Sequence, residues 1–66
     1  MDSLEQPILA IASLGEHIKK TSLSLFSDIM TGNEEQMEEN FDQLEKTIES
    51  LHHYFEMVKA HLGKGN

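Results

Sequence analysis

The apolar residues of this chain fall into two stripes, each stepping by four, three, four, three. The first runs Leu4, Ile8, Ile11, Gly15, Ile18, Ser22, Leu25, Ile29; the second runs Met37, Phe41, Leu44, Ile48, Leu51, Phe55, Val58, Leu62. That spacing keeps one seam of a helix turned toward a partner helix. Between the stripes stands Thr31-Gly32-Asn33, a helix stop followed at once by a helix start. The pattern predicts an all-α fold, an antiparallel, coiled-coil-like two-helix hairpin that completes a helical bundle by self- or hetero-association. It occupies residues 1–66 as a single domain, with helix 1 over about 3–31, a turn at 32–33, helix 2 over about 34–62 and a frayed tail at 63–66. Helices of roughly 28 residues are on the order of 42 Å long.

The ends of the helices carry their own signals. Ser3 with Gln6, or Asp2 with Glu5, fits a capping box, in which side chains satisfy orphan backbone N–H groups. Pro7 is read as a first-turn proline, tolerated because an N–H there has no helical partner to lose. Gly32 supplies a left-handed stop, and Asn33 caps helix 2 with Gln36 as its capping-box partner. Glu34 and Glu35 sit at the positive end of the helix dipole, and Lys59, His61 and Lys64 near the negative end.

Antiparallel pairing through so short a turn sets a register. It places Ile29 opposite Met37, Leu25 opposite Phe41, Ile18 opposite Ile48, Ile11 opposite Phe55 and Ile8 opposite Val58. Gly15 then faces Leu51 and Ser22 faces Leu44, an alternation of small and large that lets layers interdigitate. Glycine in a helix costs roughly 1 kcal/mol against alanine, so Gly15 is expected to permit close helix approach at that layer, with a kink as the other reading.

What remains after the seam is used differs between the helices. Outside its stripe helix 2 is polar, with Glu38, Asp42, Glu45, Glu49, His52, His53 and Glu56. Helix 1 has a second apolar flank: Leu9 and Ala12 near its start, and Leu23, Phe26 and Met30 near its end, with Leu14 bordering the seam on the other side. One partner helix cannot cover both sides of helix 1. Leu9, Ala12, Leu23, Phe26 and Met30 are therefore the candidate partner-binding residues, for a protein partner, a homodimer, or both.

Composition narrows the possible functions. Sixty-six residues lie near the lower end of what folds alone, and there are no cysteines and no tryptophan to strengthen the fold. No apolar run approaches the roughly 20 residues of a membrane span, and no stretch has the form of a signal peptide. The start at Met1 is read as an unprocessed, soluble, cytoplasmic product, although export that leaves the N-terminus intact stays open. A net charge of −7 opposes binding to nucleic acid and to anionic membranes. Eight of the twelve acids lie between Glu34 and Glu56, forming either a solvated face or a surface for a basic partner. The near-neutral helix 1 argues against a nucleic-acid mimic, whose charge would cover both helices.

Candidate chemistry is sparse. Glu49-Ser-Leu-His52 has the Glu-x-x-His spacing of di-iron bundles, but those ligands project into a core, and here they lie outside the Ile48-Leu51-Phe55 stripe. Two straight helices enclose no pocket to desolvate a nucleophile, and no glycine-rich phosphate loop is present. The expectation is a non-enzyme without metal or cofactor. The four methionines read as gap-fillers.

Certain residues carry a family resemblance. The opening Met1-x-x-Leu4-Glu5, the turn Met30-x-Gly32 and the aromatic pair Tyr54-Phe55 resemble the small helical-hairpin co-chaperones that hold needle subunits of bacterial type III secretion before export. The likeness spans the whole chain, though helix 2 is more acidic here. It implies a hetero-oligomer with a helical chaperone partner in the cytoplasm. The two functional expectations are thus a small acidic interaction module of the co-chaperone or assembly-factor kind, and a small phage or host regulatory inhibitor that docks on an enzyme or transcription regulator.

Overall fold

The computed structural model describes residues 2–63. Helix α1 spans Asp2–Thr31 and helix α2 spans Glu34–Leu62, against the expected 3–31 and 34–62. They lie antiparallel in one layer measuring 46 × 20 × 12 Å. The thinnest dimension is about one helix diameter. The radius of gyration is 15.1 Å, where a compact domain of this length would have about 11 Å.

The turn is built as the sequence expects, save that the Asn33 N–H bonds the Asp28 carbonyl where a capping box would give it to the Gln36 side chain. Gly32 has φ +72°, a left-handed conformation that glycine adopts without a Cβ clash. Its N–H donates to the Ile29 carbonyl at 3.3 Å, and the Asn33 N–H donates to the Asp28 carbonyl at 3.0 Å. That pair of bonds is a Schellman motif and satisfies the last carbonyls of α1. Asn33 then caps α2, its side-chain Oδ1 accepting from the Gln36 N–H at 3.2 Å. Gly63, also left-handed at φ +74°, closes α2 with its N–H bonded to the carbonyls of Ala60 and Lys59. The capping box expected at Asp2 or Ser3, and the tail over 64–66, lie outside the described side chains. Pro7 is inside α1, in its second turn rather than its first, and its ring is buried.

The seam departs from expectation in one respect. The helices meet along Leu4, Pro7, Ile11, Leu14, Ile18, Thr21, Leu25 and Asp28 of α1, and along Met37, Asn40, Leu44, Thr47, Leu51, Tyr54 and Val58 of α2; these and Ala10 are the positions shielded from solvent. The expected stripe and the observed seam share every second residue. In heptad terms the shared row (Leu4, Ile11, Ile18, Leu25; Met37, Leu44, Leu51, Val58) is a. The hairpin adds row d, and the apolar stripe adds row e. Both helices are rolled about 50°, half of one residue's step around the helix, away from the stripe.

Polar residues therefore occupy the interior. Among the described residues only Pro7, Thr21, Asp28 and Thr47 are buried, and no aliphatic or aromatic side chain is. The Thr47 hydroxyl donates to the Gln43 carbonyl at 2.8 Å. Asn40 Nδ2 donates to Asp28 Oδ2 at 2.6 Å, linking the last turn of α1 to the second turn of α2. A two-residue connection admits few geometries, and this hydrogen bond draws row d inward.

Gly15, expected to face Leu51 closely, is exposed, and nothing lies within 4 Å of where its Cβ would stand. The close approach is absent within the chain, because row e points away from the partner helix. Helix α1 runs unbroken through Gly15.

The turn chemistry makes a measurable claim. Gly32→Ala should destabilise the fold by about 1–2 kcal/mol, from forcing a Cβ into left-handed backbone. Asn33→Ala should cost about 1 kcal/mol from loss of the cap. Denaturant titration followed by helical circular dichroism checks both values.

Candidate functional site

An antiparallel pair places the e rows of both helices on the same edge. Ile8, Ile29, Phe41, Ile48, Phe55 and Leu62 therefore line one side of the hairpin, each between 48% and 57% exposed. The opposite edge carries Ala10, His17, Ser24, Gln36, Gln43, Ser50 and Met57. The molecule thus has one apolar face and one largely polar one.

The apolar face holds two open grooves. Near the turn, Leu25, Ile29, Met37 and Phe41 line a groove of about 490 Å³ whose rim is Glu38, Asp42 and Glu45. Near the free ends, Ile8, Ile11, Phe55 and Val58 line a second of about 330 Å³, beside Lys59. These sets contain the pairs Leu25/Phe41, Ile29/Met37, Ile11/Phe55 and Ile8/Val58 that the register predicts. Between the grooves, helix α1 contributes only Gly15 and Ser22 to row e.

The sequence-derived binding residues lie next to this face. Leu9, Leu23, Phe26 and Met30 are 61% to 72% exposed, and Ala12 is exposed as well. They occupy the positions that follow row e around α1, so Phe26 and Met30 continue the surface begun by Ile29, and Leu9 and Ala12 continue that begun by Ile8. Glu16, Lys19 and Lys20 separate the two halves. The expectation that helix 2 offers no comparable patch is corrected: Phe41, Ile48, Phe55 and Leu62 are surface residues. The signal was present in the sequence. Thr21, Asp28, Asn40 and Thr47 recur at row d, and an apolar arc beside a mixed row marks a helix built to touch more than one neighbour.

Charges on α2 are tied along the helix. Lys46 lies 3.3 Å from Asp42, His52 lies 3.7 Å from Glu56, and Lys59 lies 3.3 Å from Glu56. His53 meets Tyr54 edge to face with ring centroids 5.7 Å apart. Among the described residues, no three His, Cys, Asp or Glu side chains are grouped to hold a metal ion, and no helix is long and apolar enough to cross a membrane. No protein-family model, curated protein or solved structure matches this chain.

Row a faces both the seam and the open side, which makes it the costliest to truncate. Leu51→Ala or Ile18→Ala should destabilise the protein by about 2–4 kcal/mol. Glu49→Ala or His53→Ala should stay within about 0.5 kcal/mol, as exposed sites do. Thermal melts, with and without added zinc or iron, measure this; a metal-induced rise that His53→Ala removes would show a ligand role for these side chains.

Proposed function

We propose that this chain is an acidic, non-catalytic protein–protein interaction module that works by helix packing in the cytoplasm, as a co-chaperone or assembly factor holding a helical client. The observation that carries this reading is the apolar surface wrapping α1 from Ile29 through Phe26 to Leu23 and Met30. A helix presents anchors to a groove at this i, i+3, i+7 spacing, and large exposed aliphatic and aromatic side chains in one patch are characteristic of binding surfaces. The resemblance of the turn and the aromatic pair to type III secretion co-chaperones favours the same class of client.

The two helices have separate tasks in this reading. Phe26 and its neighbours supply affinity, since desolvated aromatic anchors dominate such interfaces. The acids of α2 keep a largely uncovered hairpin soluble and influence approach through the long-range field.

Affinity capture from the source cell, followed by titration of the purified captured protein, tests it. Phe26→Asp should abolish binding while the hairpin stays helical. Glu45→Lys combined with Glu49→Lys should chiefly alter salt dependence and association rate. The opposite result, with acid reversal abolishing binding and Phe26→Asp leaving it intact, would transfer the client to the acidic side of α2.

A further inference from the structure

We propose that the row-e face binds a second copy of the chain, stacked face to face and end for end, so that the turn of each hairpin lies over the free ends of the other. Three features of the face converge on this arrangement.

The first is area. The chain exposes 5218 Å², whereas a folded monomer of 7.5 kDa exposes about 4,200 Å². The excess is about 1,000 Å², and a specific interface takes about 800 Å² from each partner. A face 46 Å by 20 Å offers that area.

The second is symmetry. In a two-fold interface, if residue i meets j, then j meets i. End-for-end stacking runs each helix antiparallel against its own copy, with the axis crossing at mid-length. Along α1, row e reads Ile8, Gly15, Ser22, Ile29: large, small, small, large. Ile8 then meets Ile29 of the second copy, and Gly15 meets Ser22. Along α2 the row reads Phe41, Ile48, Phe55, Leu62, so Phe41 meets Phe55, Ile48 lies on the axis, and Leu62 reaches the start of α2 in the second copy. The two rows share one centre. Leu25 and Phe41 line one groove, and Ile11 and Phe55 the other; midway between them stand Ile18 on α1 and Ile48 on α2. Gly15, which makes room for nothing within its own chain, here lets the two α1 backbones approach.

The third is charge. The groove near the turn is rimmed by Glu38, Asp42 and Glu45, and the groove at the free ends by Lys59. End-for-end stacking brings Glu38 toward Lys59 of the second copy and Glu45 toward His52. Stacking with both turns at the same end would instead set α2 over α1 of the second copy and leave Glu38 and Lys59 at opposite ends. Lys59 and His52 already contact Glu56, so the cross-copy groups extend that cluster, and they select orientation more than they add affinity. The product is a four-helix bundle with rows a, d and e inside. Leu9, Leu23 and Met30 stay outside, while Ile29 serves both surfaces and Phe26, in the row that carries the charged rim on α2, borders the interface.

The chain has no cysteine, which makes single-cysteine cross-linking clean. With a short bismaleimide, Ile48→Cys should link to itself, and Phe41→Cys should link to Phe55→Cys when the two are mixed. Light scattering of the parent chain should give twice 7.5 kDa. Gly15→Leu has space within the hairpin but fills the gap at mid-face, and should weaken self-association about tenfold or more. A 7.5 kDa mass at micromolar concentration overturns the proposal. So does an undiminished dimer in Gly15→Leu, or linking of Phe41→Cys to Ile29→Cys in place of Phe55→Cys, which would mean that both turns lie at the same end. Met30→Asp, at a client anchor on the outer side of α1, should leave all of these results unchanged, which separates this interface from client binding.

Discussion

A single layer of two helices can cover each helix from one side only. In this chain the apolar arc of each helix spans rows d, a and e, wider than one neighbour can reach. The hairpin must therefore leave part of that arc in water. It closes on row a and the mixed row d, and leaves open row e, apolar from Phe41 to Leu62 on α2 and at both ends of α1. That single allocation explains why, among the described residues, no aliphatic or aromatic side chain is buried, why both grooves lie on one face, and why the interior holds Thr21, Asp28 and Thr47.

Buried polar groups usually weaken a seam, but they also discriminate between registers. The Asn40–Asp28 hydrogen bond satisfies Asp28 where it is 8% exposed, and sliding the helices by a turn would leave both groups unpartnered at a cost of about 1–3 kcal/mol each. Polarity at row d therefore trades stability for a defined roll, and the defined roll gathers row e of both helices into a continuous surface. An all-apolar row d would give a stabler seam with less reason to prefer one rotation over another.

The acidic character of α2 belongs to the same balance. A hairpin that exposes Ile8, Phe41 and Phe55 at half their area would associate indiscriminately if it were uncharged. Placing Glu38, Asp42 and Glu45 around one groove and Lys59 beside the other restricts which surfaces approach, because like charge repels at short range. Affinity and selectivity thus reside on different residues of the same face.

Local chemistry in the chain determined the helix ends. Gly32 permits positive φ, Asn33 accepts from the Gln36 N–H, and a stripe of constant step needs a helix of constant direction; each acts within a few residues, so the class, the two helices, the turn and their antiparallel pairing could be read directly. The flank formed by Leu9, Ala12, Leu23, Phe26 and Met30 could likewise be read as exposed, since it lies beyond any position a single partner helix reaches. The roll of the helices could not. Rows d and e stand on either side of row a, at about −60° and +40° around the helix, and hydrophobic spacing alone favours the more apolar row. Only the tertiary structure, through the two-residue turn and the Asn40–Asp28 bond across helices, decided that row d faces inward, and so that Gly15, Phe41, Ile48 and Phe55 belong to the surface and not to the seam.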